Sequence, residues 1–190
     1  MVCTELCTLH FQKENTIDNI ASSLLFGDGS AALLVMHNDA DEYGLRINNF
    51  YSEIAFKGKK DMSWQLSSSG FLMTLSGYVP DLIEEDFNKL LTNALKNADC
   101  NMEDISHWCM HPGGKRILSA IEKGISITSQ DLKHSYSVLK NYGNMSSPTI
   151  LFVLKEIMDS IKKNEEKKTN IFGAAFGPGL TLETFILSDD

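Results

Sequence analysis

The alternation of apolar and polar residues divides the chain into strands near its start, a strand–helix middle, and two strands at its end. MVCTEL at 1–6 reads as a buried strand, and FGDGSAALLVM at 26–36 as a turn feeding a second apolar strand. Leu45 to Ile54 is a third strand, 57–63 a loop, and Phe71 to Leu75 a short strand. From Pro80 to Ala98 the residues Leu82, Ile83, Phe87, Leu90, Leu91 and Leu95 recur at helical spacing. Pro80 suits a first helical turn, and Asp81, Glu84 and Glu85 complement its positive end. A strand at His107 to Met110 leads through HPGG into a helix from Lys115 to Lys123. Ser129 is placed to cap a helix running to Lys140. After the turn NYGN comes an apolar helix, Ser147 to Lys162. Its residues 150–154 are apolar on every side, as in a helix buried all round. Strands at Asn170 to Phe176 and Leu180 to Leu187 finish the chain, with GPG at 177–179 as their hairpin turn. From residue 70 the order is β-α-β-α-α-α-β-β, which predicts an α/β layered fold with a mixed sheet.

Composition narrows the class of protein. The 190 residues are 43% hydrophobic, normal for a globular domain able to bury a core. A formal net charge of -8 argues against nucleic acid or an anionic membrane surface as partner. No apolar run approaches the roughly 20 residues that span a bilayer, and no signal peptide is evident, so a soluble cytoplasmic protein is expected. Cys3, Cys7, Cys100 and Cys109 form no C-x-x-C pair and no zinc spacing; free thiols and no metal site are expected. KKNEEKK at 162–168 reads as a solvated helix end.

Three glycine-bearing turns fall at element junctions, where α/β proteins place their sites: His111-Pro112-Gly113-Gly114, Tyr142 to Ser147, and Ala175 to Gly179. His111 ends a strand, where its imidazole can act as donor or base. Asn144 precedes a helix, where its amide can donate two hydrogen bonds. A His and an Asn converging on one oxygen make an oxyanion or enolate site. Plainer readings stand beside these. A lone His after a strand is often a hydrogen-bonded structural residue, an Asn before a helix is often an N-cap, and GDGSAA suits a simple turn.

FGDGSAALLV, HPGG, YGNMSS and FGPGLTLET at 176–184 resemble the chalcone synthase-like family, the type III polyketide synthases, in motif, order and approximate spacing. VCTELCTLHF at 2–11 also resembles the strand after the nucleophile helix in that family, and GFLMTLSGYVP at 70–80 is similar to its microbial branch. A ketoacyl synthase III would be similar in the His and Asn turns but would not be expected to end in GPGLTLET. A non-catalytic thiolase-like interaction domain is a second alternative, against which the intact HPGG and YGN turns speak. A nucleotide-binding module is a third, but neither glycine-rich phosphate motif is present.

The resemblance implies a thiolase-like fold of two stacked α/β halves. Residues 1–44 would be the last strands of the N-terminal half, and 45–190 the C-terminal domain. It implies His111 and Asn144 as catalytic residues that hold the thioester oxygen of malonyl-CoA and stabilise the enolate left by decarboxylation. Glu5, Cys7 and His10 match pocket-lining positions, Trp64 and Met73 positions that shape the cavity, and Ser146 a pocket serine. Phe176, Gly177, Pro178 and Gly179, with Ala175, match the cavity floor. Plant chalcone synthases carry a small residue where Trp64 stands, phenylalanine at Met73, and threonines at Cys7 and His10, so the plant product is not expected. Acyl-CoA and malonyl-CoA would be the substrates, no further cofactor is implied, and a homodimer is expected. The family's nucleophilic cysteine lies ahead of VCTEL and matches none of the four here. The chain would therefore need the other half for activity, and would self-associate through helix 147–162 or strand 1–9 left uncovered.

Overall fold

The structure, a computed structural model, describes residues 1–189 apart from 14, 38–43, 59, 69, 76, 78 and 165–168. A four-stranded mixed sheet forms its centre, in the order β3-β8-β7-β6. These strands are β3 (Arg46–Ile54), β6 (His107–Met110), β7 (Asn170–Gly177) and β8 (Thr181–Ser188). β6 and β7 are parallel, while β7–β8 and β3–β8 are antiparallel. Two further pairs stand apart: β1 (Val2–Glu5) with β2 (Gly29–Ala32), and β4 (Met62–Ser67) with β5 (Gly70–Leu75). The helices are α1 (Ile17–Leu25), α2 (Val79–Asn97), α3 (Lys115–Ile125), α4 (Lys133–Tyr142) and α5 (Pro148–Asn164).

The two-residue period of the strands sorts their side chains between two cores. Trp108, Met110, Phe172, Ala174, Leu182 and Ile186 face the helices α2 and α3, joining Ile83, Phe87, Leu90, Leu118 and Ile121. Cys109, Ile171 and Leu187 point the other way, against Val138 of α4 and Val153, Ile157 and Ile161 of α5. Sheet and helices thus make three layers, and the β-α-β-α-α-α-β-β order expected from residue 70 is the order observed. Among the described residues no helix is long and apolar enough to cross a membrane.

Several local expectations are corrected. Residues 12–25, given no element above, contain α1, started by Thr16, whose hydroxyl accepts the Asn19 N–H at 3.2 Å. The supposed loop 57–63 is a short 3-10 turn, Phe56–Gly58, followed by β4. Ser129 does not cap α4, which begins at Lys133; Asp131 instead accepts from the Thr128 N–H at 2.8 Å and hydroxyl at 2.7 Å, closing a turn ahead of the helix. β1 is not buried: Val2 is 71% exposed, and β2 stops at Ala32, leaving Leu34 78% exposed. Nor is α5 buried all round: Val153, Ile157 and Ile161 are buried, whereas Ile150, Leu151, Phe152, Leu154 and Met158 are half-buried. Of the charged run at 162–168, residues 165–168 lie outside the described residues.

Candidate active site

β6 ends at Met110, so His111 emerges at the C-terminal edge of the sheet. Its backbone N–H donates to the Ala174 carbonyl at 2.9 Å, and its own carbonyl accepts from the Gly113 N–H at 2.9 Å. The HPGG turn is therefore tied to β7 at Ala174, three residues before that strand ends at Gly177. The His111 side chain is buried at 8% exposure, and burial pushes its pKa from 6.5 down to about 4. At neutral pH the ring is uncharged, with one N–H to donate and one nitrogen to accept. This has a consequence for stability. The unfolded chain binds a proton near pH 6.5 that the folded chain refuses until about pH 4, so stability is full above 6.5 and falls as pH drops through that window. At 1.36 kcal/mol per pKa unit the fall reaches about 3 kcal/mol. Urea midpoints at pH 7.5 and 4.5 should show a smaller acid loss in H111Q than in wild type; identical losses would remove His111 as the cause.

Asn144 sits in the turn between α4 and α5 and is 5% exposed. Its Oδ1 accepts the Ser146 N–H at 2.8 Å, and its Nδ2 donates to the Gly113 carbonyl at 3.2 Å. The oxygen thus closes the turn ahead of α5, and the nitrogen is held toward the HPGG turn. A Cβ placed on Gly113 would lie 3.7 Å from His111 Cδ2, so the carboxamide and the imidazole each come close to that glycine. The backbone of Asn144 is fixed as well. Its N–H donates to the Leu25 carbonyl and its carbonyl accepts from the Gly27 N–H, each at 2.9 Å, in a parallel bridge between Phe26 and Asn144.

Two glycines permit this approach. Gly143 has φ +73°, and a Cβ there would stand 2.9 Å from the Leu25 carbonyl oxygen; a Cβ on Gly29 would stand 2.6 Å from Met145 Sδ. FGDGS and YGNMSS are thus two sides of one contact. Glu5, opposite Gly29 in the β1–β2 register, accepts the Ser147 hydroxyl at 2.7 Å. The first pair of strands is anchored to the mouth of α5 by that bond. Ser146 itself has φ +60°, a left-handed conformation in a non-glycine residue.

Cys7 and His10 lie on a short 3-10 turn after β1. Burial, then the carboxylates of Glu5 and Asp28, push the Cys7 thiol up, the reverse of what activates a nucleophile. Burial likewise pushes the Cys109 thiol strongly up, and its Sγ lies 3.6 Å from the Ile150 carbonyl oxygen. Trp64 and Met73 are backbone partners across β4–β5, and their side chains lie outside the described residues. Phe176 is half-buried, with its ring 6.0 Å from that of Phe87. Gly177 pairs with Thr181, so Pro178, Gly179 and Leu180 form the turn, with φ +79° at Gly179 and +51° at Leu180. The Gly179 N–H donates to the Met62 carbonyl at 2.7 Å, joining this tip to the β4–β5 hairpin. Among the described residues no group of three or more His, Cys, Asp or Glu is gathered as a metal would require. Thr149 and Leu25 belong to this neighbourhood and carry no signal in the sequence. A threonine following Pro148 in a first helical turn carries no signal of its own, whereas the glycine after Phe26 hinted at a close approach.

Three layers, with glycine turns gathered at one edge of a mixed sheet, define the thiolase-like architecture. PKS-I of the brown alga Ectocarpus siliculosus superposes with a TM-score of 0.87 at 24% identity, over 100% of this chain and 52% of that one. The C-terminal type III polyketide synthase domain of Steely1, a type I/III hybrid from Dictyostelium, gives 0.83 at 28% identity, over 99% of this chain and 53% of that one. Residues 48–189 match the profile of the chalcone and stilbene synthases, C-terminal domain, and the chain belongs to that family. A chalcone synthase-type protein of Bacillus subtilis (strain 168) is 32% identical over 99% of this chain and 53% of its own length. The 3,5-dihydroxyphenylacetyl-CoA synthase of Amycolatopsis orientalis is 27% identical over 98% of this chain and 50% of its own. The chain thus spans about half the length of these curated relatives and corresponds to the C-terminal half of such a synthase.

Proposed function

We propose that these residues form the decarboxylation half of a type III polyketide synthase site, using acyl-CoA and malonyl-CoA. The observation that carries the reading is the Asn144 carboxamide, whose oxygen is engaged by the Ser146 N–H and whose nitrogen faces the turn bearing the neutral, buried His111. Two neutral donors on one thioester oxygen stabilise the negative charge that develops there as carbon dioxide leaves malonyl-CoA. A buried site strengthens both bonds, and each such donor is worth about 2.7–4 kcal/mol. The enolate then attacks an acyl thioester held on a cysteine, forming the new carbon–carbon bond and releasing the thiolate. None of Cys3, Cys7, Cys100 and Cys109 matches the context of the family's nucleophile, and the thiols of Cys7 and Cys109 are pushed up besides, so the nucleophile is assigned to the other half of the synthase. The thioesters themselves supply the reactive groups, and the scheme calls on no metal or redox cofactor. Glu5, Cys7, His10, Trp64, Met73, Ser146 and the Phe176–Gly179 tip would line the acyl pocket, in a homodimeric cytoplasmic enzyme.

The test is an assay of the purified 190-residue chain with malonyl-CoA and a panel of acyl-CoA starters, alone and combined with the N-terminal half of a relative such as the Bacillus protein. The chain alone should form no polyketide, because nothing in it holds the acyl intermediate; the combination should form product. Polyketide from the chain alone would refute the assignment of the nucleophile.

A further inference from the structure

We propose that Thr149 is a positioning residue, fixing which face of the Asn144 carboxamide is presented to substrate. The proposal rests on the reading of Asn144 as an oxyanion donor given above. Thr149 is 0% exposed and stands in the first turn of α5. Its hydroxyl accepts the Met145 N–H at 2.8 Å, donates to the Ser146 carbonyl at 2.8 Å, and lies 3.5 Å from Asn144 Oδ1. A hydroxyl has one proton, and the shorter bond takes it, so Thr149 grips the backbone on both sides of Ser146. That grip matters because Ser146 is held at φ +60°, a conformation that persists only where its surroundings enforce it.

Held so, the Ser146 N–H points at Asn144 Oδ1 at 2.8 Å. The amide oxygen is thereby occupied, and the NH2 group is left toward the Gly113 carbonyl. Rotating the carboxamide by half a turn would set Nδ2 against the Ser146 N–H and Oδ1 against the Gly113 carbonyl, opposing like with like at both ends. The Thr149 hydroxyl is engaged by the backbone around Ser146. It acts by keeping Ser146 where a flipped Asn144 would be repelled. Without the hydroxyl, the Met145 N–H and the Ser146 carbonyl lose their bonds to it, the turn relaxes, and both orientations of the amide become accessible.

The experiment compares T149V, which keeps shape and loses the hydroxyl, with T149S, which keeps the hydroxyl, and with N144A. Malonyl-CoA decarboxylation is measured on the chain combined with the N-terminal half, and melting temperature alongside. T149V should lower kcat by about tenfold to a hundredfold while KM stays within about twofold, the signature of a misplaced transition-state donor. T149S should restore most of the loss. On the 15N-labelled chain itself, solvent exchange of the Asn144 side-chain NH2 should quicken in T149V and remain as wild type in T149S. Should T149V not fold, T149A carries the same arms. Unchanged kcat together with an unchanged Asn144 amide signal would overturn the proposal. Wild-type decarboxylation by N144A would instead overturn the reading of Asn144 as a donor, and the amide signal would then decide the role of Thr149 alone.

Discussion

Replacing His111 by alanine in the assembled synthase should cut malonyl-CoA decarboxylation by about a hundredfold to a thousandfold, the cost of losing one donor from an oxyanion site. H111Q should retain more, since a carboxamide can still donate, whereas a purely packing role would rank the variants by volume lost. N144A should fall as far as H111A. The double variant should lose less than the sum of the two, because two donors to one oxygen act as a unit. KM for malonyl-CoA should move little in all four. Wild-type turnover in H111A would take His111 out of the chemistry and leave it as a buried, neutral structural histidine. Burial decides between these pictures in advance only in part. Keeping an imidazole uncharged down to about pH 4 costs acid stability, a cost with no packing return that an apolar residue would not match better.

The parts of this molecule that could be read from sequence are those whose cause is local. HPGG after HWCM says strand, sharp turn, helix, and places His111 at a sheet edge without any partner being known. The α2 stripe Ile83, Phe87, Leu90, Leu91 and Leu95 is likewise its own evidence for a helix buried on one face. Where the cause is distant, the reading stopped short. β4 pairs with β5 and alternates apolar and polar residues from Met62 to Ser67, a strand pattern that begins inside the segment 57–63 expected to be loop. The bond from Ser147 to Glu5 joins positions 142 residues apart. The Asn144 amide is bonded to the Gly113 carbonyl and the Ser146 N–H, and YGNMSS alone does not place the first of these. In α1, nine residues long, Ile17, Ile20 and Leu24 keep helical spacing behind the Thr16 cap, and the stripe they form faces outward rather than into either core.

That outward stripe carries the second large expectation, that the isolated chain self-associates. Ile17 is 86% exposed, Leu24 84%, Leu9 75%, Val2 71% and Phe11 58%, all within the first 24 residues. Monomeric soluble proteins rarely expose a contiguous apolar patch above a few hundred Å². Covering about 500 Å² at roughly 25 cal/mol per Å² would gain on the order of 12 kcal/mol before association costs, which run from about 4 to 15 kcal/mol. The net charge of -8 opposes association, but charges more than about 8 Å apart are largely screened at physiological salt. Of the two segments expected to mediate the contact, α5 is the weaker candidate, since its apolar residues are already buried or half-buried against the sheet and α4. The contact should therefore run through β1, the 3-10 turn after it, and α1. Sedimentation velocity at increasing concentration should show dimers or larger species, and raising the salt should favour them. I17K combined with L24E should return the chain to monomer without lowering its melting temperature, since neither residue packs in a core. Adding the N-terminal half of a relative should compete with self-association for the same face. A clean monomer at high concentration, or association unchanged by I17K/L24E, would move the interface elsewhere. Because the α1 strand-side end is bonded directly to the backbone of Asn144 at Leu25 and Gly27, whatever covers α1 also braces the residue proposed to hold the oxyanion. Decarboxylation in the assembled synthase should accordingly drop in I17K/L24E, even though neither side chain belongs to the site.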